Sequence, residues 1–131
     1  MSFLSTISLR QILALDAASS GGMGLLLLAG ASLTEGLLGI PVEFQRFAGA
    51  ILIPYAALVG WLAARPEPAR GAVWCVVAIN AVWAVESLLV LMTGWFAPTA
   101  LGVAFIVGQA AFVAILAELQ ILALRRRQAL A

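Results

Sequence analysis

Four long apolar stretches, separated by short breaks carrying Pro, Gly or Arg, constrain this chain more than any other feature. They run over about 9–33, 44–64, 71–92 and 99–124. Each reaches the roughly 20 residues that carry a helix across a hydrocarbon core of about 30 Å. The balance of residues fits that reading, since 64% are hydrophobic and only 10% charged, where soluble domains carry about 25% charged residues. Short connections place successive helices side by side and antiparallel. The expected fold is an all-α integral membrane protein, a single four-transmembrane-helix domain over 1–131 with up-down topology.

The breaks carry their own chemistry. Gly36, Gly39 and Pro41 interrupt the chain after the first span, and Arg65-Pro66-Glu67-Pro68-Ala69-Arg70 makes a stiff second turn. Pro98 stands where the fourth helix can begin. The stretch from Leu33 to Phe47 mixes Leu37, Leu38, Ile40, Val42 and Phe44 with Glu35 and Glu43 and reads as a surface turn, or else as a short amphipathic stretch along the outer interface. Ala29-Gly30-Ala31 has the small residues of a signal-peptide cleavage site. Asp16 and Ser19-Ser20-Gly21-Gly22 break the apolar run before it, so the first span is expected to stay uncleaved.

Orientation follows from the cations, all seven of which are Arg. Arg10, Arg65, Arg70, Arg125, Arg126 and Arg127 fall on one side of a four-span bundle, and Arg46 alone on the other. Positive charge is retained in the cytoplasm, so both termini are expected there, with Arg125–Arg127 as a topology anchor. A chain rich in Ala, Leu and Arg without Lys suggests a bacterial gene, hence the bacterial cytoplasmic (inner) membrane.

Several chemistries lose their usual residues. There is no His, the commonest general base and a frequent metal ligand. Without Lys no Schiff base can form. Cys75 is the one cysteine, which excludes an intrachain disulfide. Met23 and Met92 have no thiol neighbours in sequence and read as packing residues. A net charge of +1 without an extended basic patch leaves no footprint for nucleic acid. Neither enzyme activity, nor a cofactor, nor a metal is expected.

Polar residues inside the spans carry what functional signal exists, because such groups favour a bundle interior or a cavity. On the third span Asn80, Trp83, Glu86 and Ser87 fall within about 120° at 100° per residue. With Gln109 of the fourth span they form the candidate intramembrane site. Glu86 is its titrating carboxyl, able to exchange a proton, or else a hydrogen-bonded lock between helices. Counting from the Arg residues places Glu86 and Gln109 about 24 Å deep, and Asp16 and Glu118 about 10 Å deep. Asp16 and Glu118 then make an inner-leaflet tier, with Arg10 or Arg125 as the expected neighbour of Asp16.

Small residues four apart let helices approach closely in lipid. Ala17 with Gly21, Ser20 with Gly24, Ala56 with Gly60, and Ala100, Ala104 and Gly108 are the expected packing positions. Pro54 is expected to bend the second span. Two functions fit. The first is an accessory or interaction subunit working through helix faces, in a homo-oligomer or a larger membrane complex. The alternative is a small proton-coupled transporter or permease, homo-oligomeric, with Glu86 as the titrating centre. In both the bilayer is the constant partner.

Overall fold

The computed structural model describes residues 7–130, with side chains described over 7–126. Arg127, in the predicted anchor, lies outside the described side chains. The described chain is helical: α1 (Leu9–Ala29), α2 (Ala31–Leu38), α3 (Val42–Ala64), α4 (Arg70–Thr93) and α5 (Ala100–Leu130). α1, α3, α4 and the 100–126 portion of α5 are long and apolar enough to cross a membrane.

Each end of a helix has a local cause. Ser8 and Gln11 form a reciprocal capping box at the start of α1. The Thr99 hydroxyl accepts from the Gly102 N–H at 3.1 Å and opens α5. Gly94 ends α4 at φ 72°, a left-handed conformation glycine adopts without cost. Pro54 sits inside α3, which runs on as one helix.

The segment after α1 differs from the expected turn. The helix breaks at Gly30 and resumes as α2, and Glu35 Oε2 then accepts from the Val42 N–H at 2.9 Å to cap α3. α2 is held from outside itself. The Thr99 N–H donates to the Leu38 carbonyl at 3.0 Å, and the Thr99 hydroxyl to Leu37 at 2.7 Å. Gly39, at φ 70°, lies so near 97–99 that a Cβ would stand 2.8 Å from the Ala97 carbonyl oxygen. A Cβ on Gly102 would overlap the Leu38 carbonyl outright.

Packing is closest between α1 and α3. A Cβ at Gly49 would stand 2.8 Å from the Gly24 carbonyl oxygen, so the two backbones nearly touch. Further along, Gly21 meets Ala56 and Gly60 meets Ala17 at ordinary contact distance. Numbers rise along α1 as they fall along α3. The ridge predicted on α5 differs: Ala100, Ala104 and Gly108 are exposed, and a Cβ at Gly108 would meet nothing within 4 Å. The buried face of α5 is instead drawn by Gly102, Ile106 and Ala110, about half a turn away.

The core is unevenly filled. Leu13, Val59, Leu62, Val73, Val76, Leu116 and Leu124 form a dense cluster from all four long helices. It lies at the end where Arg126 donates to the Ile7 carbonyl and Arg10 to the Ala63 carbonyl. Toward α2 the buried set thins to Leu38, Ile40 and Ile106, flanked by Phe44 and Phe96 with ring centroids 5.1 Å apart.

Candidate functional site

Between these two clusters, one polar side chain from each long helix converges. Asp16 of α1, Asn80 of α4 and Gln120 of α5 are at most 3% exposed, and Tyr55 of α3 reaches them half-buried. Asp16 Oδ2 accepts from the Tyr55 hydroxyl at 2.9 Å, Asn80 Nδ2 at 2.9 Å and Gln120 Nε2 at 2.8 Å. Asp16 Oδ1 accepts from the Ser20 hydroxyl at 3.1 Å. Asn80 Nδ2 also donates to Gln120 Oε1 at 3.1 Å.

Every one of these bonds to Asp16 has the carboxyl as acceptor and a neutral group as donor. Tyr55 carries one proton and faces two acceptors, Asp16 Oδ2 and Asn80 Oδ1, both at 2.9 Å. Its hydroxyl can therefore change partner by rotation alone. Among the described residues no buried side-chain nitrogen or oxygen lacks a hydrogen bond. In a low-dielectric interior such a complete network rigidifies the helices it joins.

A second feature lies toward α2. A cavity of about 500 Å³ is lined by residues of α1, α3, α4 and α5, with Ile40 from the loop after α2. Trp83, Glu86, Ser87 and Gln109 all line it. Trp83 Nε1 donates to Gln109 Oε1 at 2.9 Å, and Gln109 Nε2 donates on to the Ile106 carbonyl at 2.9 Å. Apart from Gln45 and Thr93, the remaining wall is apolar, with Met23 and Leu27 from α1, Phe44, Phe47 and Ile51 from α3, and Phe105 from α5. Along α1, α3 and α4 the network residue falls between core positions and cavity positions. The polar network thus lies next to the cavity along these three helices, and none of its four residues is part of the cavity wall.

The candidate set read from sequence is accordingly divided. Trp83, Glu86, Ser87 and Gln109 share the cavity, whereas Asn80 belongs to the network beside it. The inner tier also separates. Asp16 is buried while Glu118 is exposed, because the two face opposite sides of their helices relative to the bundle. Asp16 bonds to Tyr55, Asn80 and Gln120 rather than to an Arg, and Arg10 turns instead to the end of α3. Ser20, read from sequence as a packing position, also donates to Asp16 Oδ1.

Tyr55 is the network member that sequence reasoning left out. Gln120 carried a signal that the sequence does give, an intramembrane polar residue eleven positions after Gln109 and on the same face of α5, though it was not placed in the candidate site. Tyr55 carried none beyond being the one Tyr. Among the described residues no group of three His, Cys, Asp or Glu side chains is placed to hold a metal ion.

Compared with protein-family models, curated proteins and solved structures, the chain matches none of them. Its class is set by the fold, a helical protein with four membrane-length apolar helices around a polar network and an adjoining cavity.

Proposed function

We propose that this protein is a small, non-enzymatic carrier of the bacterial cytoplasmic membrane. It is an up-down four-span bundle with both ends cytoplasmic, working as a homo-oligomer with Glu86 as its titrating centre. One observation carries the reading: Trp83, Glu86, Ser87 and Gln109 line a single cavity of about 500 Å³. In this orientation the cavity lies in the outer half of the membrane. The network of Asp16, Tyr55, Asn80 and Gln120 closes it toward the cytoplasm. A solute crossing would require those side chains to part, which suits stepwise exchange better than an open channel.

Proteoliposomes enclosing a pH-reporting dye test the reading, with a panel of small cationic, neutral and anionic solutes added outside. Some solute should move protons with the wild-type chain, and Glu86→Gln should abolish that movement. Glu118→Gln, altering an exposed carboxyl remote from the cavity, should not. If no solute moves protons, or Glu86→Gln behaves as wild type, the carrier reading fails.

A second reading, an accessory or interaction subunit, is favoured by the outward-facing Ala100, Ala104 and Gly108. Small residues there would admit a partner helix closely. Purification from native membranes should then recover a reproducible partner that Gly108→Leu removes, and recovery of an isolated monomer would count against it.

A further inference from the structure

We infer that the cavity is a binding site for a lipophilic cation, an apolar and largely aromatic molecule bearing one positive charge. For transport the inference rests on the carrier reading; for binding it stands on the cavity alone.

The polar inventory of the wall carries it. Gln45 accepts from Thr34 at 2.9 Å and donates to the Ile40 carbonyl at 2.9 Å. Ser87 donates to the Trp83 carbonyl at 2.7 Å, and Thr93 to the Val90 carbonyl at 2.8 Å. Trp83 and Gln109 are bonded to each other. Glu86 is left. Among the described residues, none hydrogen-bonds or ion-pairs with its carboxylate, and it is the one charged side chain lining the cavity. A sugar, an amino acid or another solute rich in hydrogen-bonding groups would find each of these side chains already in at least one bond. A single positive charge would find in Glu86, an exposed side chain on this wall, a carboxyl with no partner among the described residues, and it would meet no cation lining the cavity.

The rest of the wall fits the rest of such a molecule. Phe44, Trp83, Trp95 and Phe105 bring aromatic rings to the cavity, and the negative face of such a ring attracts a cation. The bond to Gln109 occupies the Trp83 N–H, leaving that ring to offer only its π surface. At about 500 Å³ the space lies within the roughly 300–1,000 Å³ typical of small-molecule sites.

The test uses the full chain purified in a maltoside detergent and titrated calorimetrically with tetraphenylphosphonium. Tetraphenylborate, of matched shape and opposite charge, serves as the comparison. Wild type should bind the cation, and Glu86→Gln should weaken binding by about tenfold or more, with cation–π contacts retained. Glu118→Gln should bind as wild type, which separates the site from uptake into the micelle. Because Glu86 makes no described bond, its replacement leaves the helix contacts intact, and an unchanged circular-dichroism melt checks this. Equal binding by wild type and Glu86→Gln, or a borate affinity matching that of the phosphonium, would overturn the inference. Cation binding with no proton movement for any solute keeps the site and removes the carrier. Proton movement with a different solute, and no phosphonium binding, does the reverse.

Discussion

The amide of Gln120 donates a 2.8 Å hydrogen bond to Asp16 Oδ2, joining residues 104 positions apart. Tyr55 and Asn80 bond to the same oxygen, so one carboxyl gathers donors from the other three long helices. In lipid, apolar contact between helices gains little over contact with acyl chains, which leaves polar bonds and close backbone approach to select the arrangement. Here they act at different places. Glycines bring α1 against α3, while the network ties that pair to α4 and α5.

Removing the shared acceptor should therefore cost more than removing one donor. Asp16→Ala takes the acceptor from the buried Gln120 amide, at about 1–3 kcal/mol for such an unsatisfied group, and leaves Tyr55 and Asn80 with only Asn80 Oδ1 and Gln120 Oε1 to bond. Tyr55→Phe deletes one hydroxyl and leaves the other bonds to Asp16 in place, at about 0.6 kcal/mol for an average membrane hydrogen bond. Thermal melting in detergent should rank Asp16→Ala well below Tyr55→Phe, and Tyr55→Phe slightly below wild type. An Asp16→Ala protein as stable as Tyr55→Phe would show that the carboxyl is not the hub.

The four long helices were legible because a bilayer demands uninterrupted apolar runs and gives backbone groups no other partner. α2 was legible only as the alternative of a short amphipathic stretch, since Gly30, Gly36, Gly39 and Pro41 crowd a short segment that local propensity reads as a turn. Bonds from Thr99, some sixty residues away, hold it. The cavity side of the site was legible from angular spacing on α4, which groups Trp83, Glu86 and Ser87. The network was only half legible. Counting depth from Arg residues treats helices as upright and level, which sets Asp16 and Asn80 about 6 Å apart in depth. Helix tilt and stagger, which no single helix's sequence records, close that gap. That the α5 ridge of Ala100, Ala104 and Gly108 faces away from the other described helices was not legible for a related reason: spacing by four finds small residues but not which face the neighbours occupy.

The α1–α3 crossing gives a second prediction. A methyl at Gly49 would press on the Gly24 backbone and on Leu28, 2.9 Å from its Cγ. Gly49→Ala should destabilise by about 1–3 kcal/mol, as overpacked sites do. Gly108→Ala has open space around it and gains helix propensity, so it should be neutral or up to about 1 kcal/mol more stable. Paired melts under the same detergent conditions would read the contrast, and similar losses from both substitutions would contradict the packing described.

The docking of α2 should be separable from the stability of the bundle. Thr99→Val keeps the backbone bond to Leu38 but removes both the side-chain cap on α5 and the bond to Leu37. A lost cap costs about 1 kcal/mol. Amide hydrogen exchange should accelerate over Ala31–Leu38 and the first turn of α5, with the Leu13–Val59–Val76 core unchanged. Exchange that rises evenly along the chain would mean that α2 is not an independently held element.

The orientation proposed from Arg placement is open to a direct check, and the inner and outer assignments of cavity and network depend on it. Green fluorescent protein fused after Ala131 should fluoresce in bacterial cells, because it folds in the cytoplasm and not after export. Alkaline phosphatase, active only outside the cytoplasm, should be silent at that position and active when inserted at Gly94, in the connection between α4 and α5. Since positive charge near span ends sets topology, replacing Arg65 and Arg70 with Gln should lower the fluorescence of the fusion at Ala131 by letting inverted chains accumulate. Phosphatase activity after Ala131 in the wild-type background would invert the map. The cavity would then open toward the cytoplasm, and the four-residue network would close it from outside.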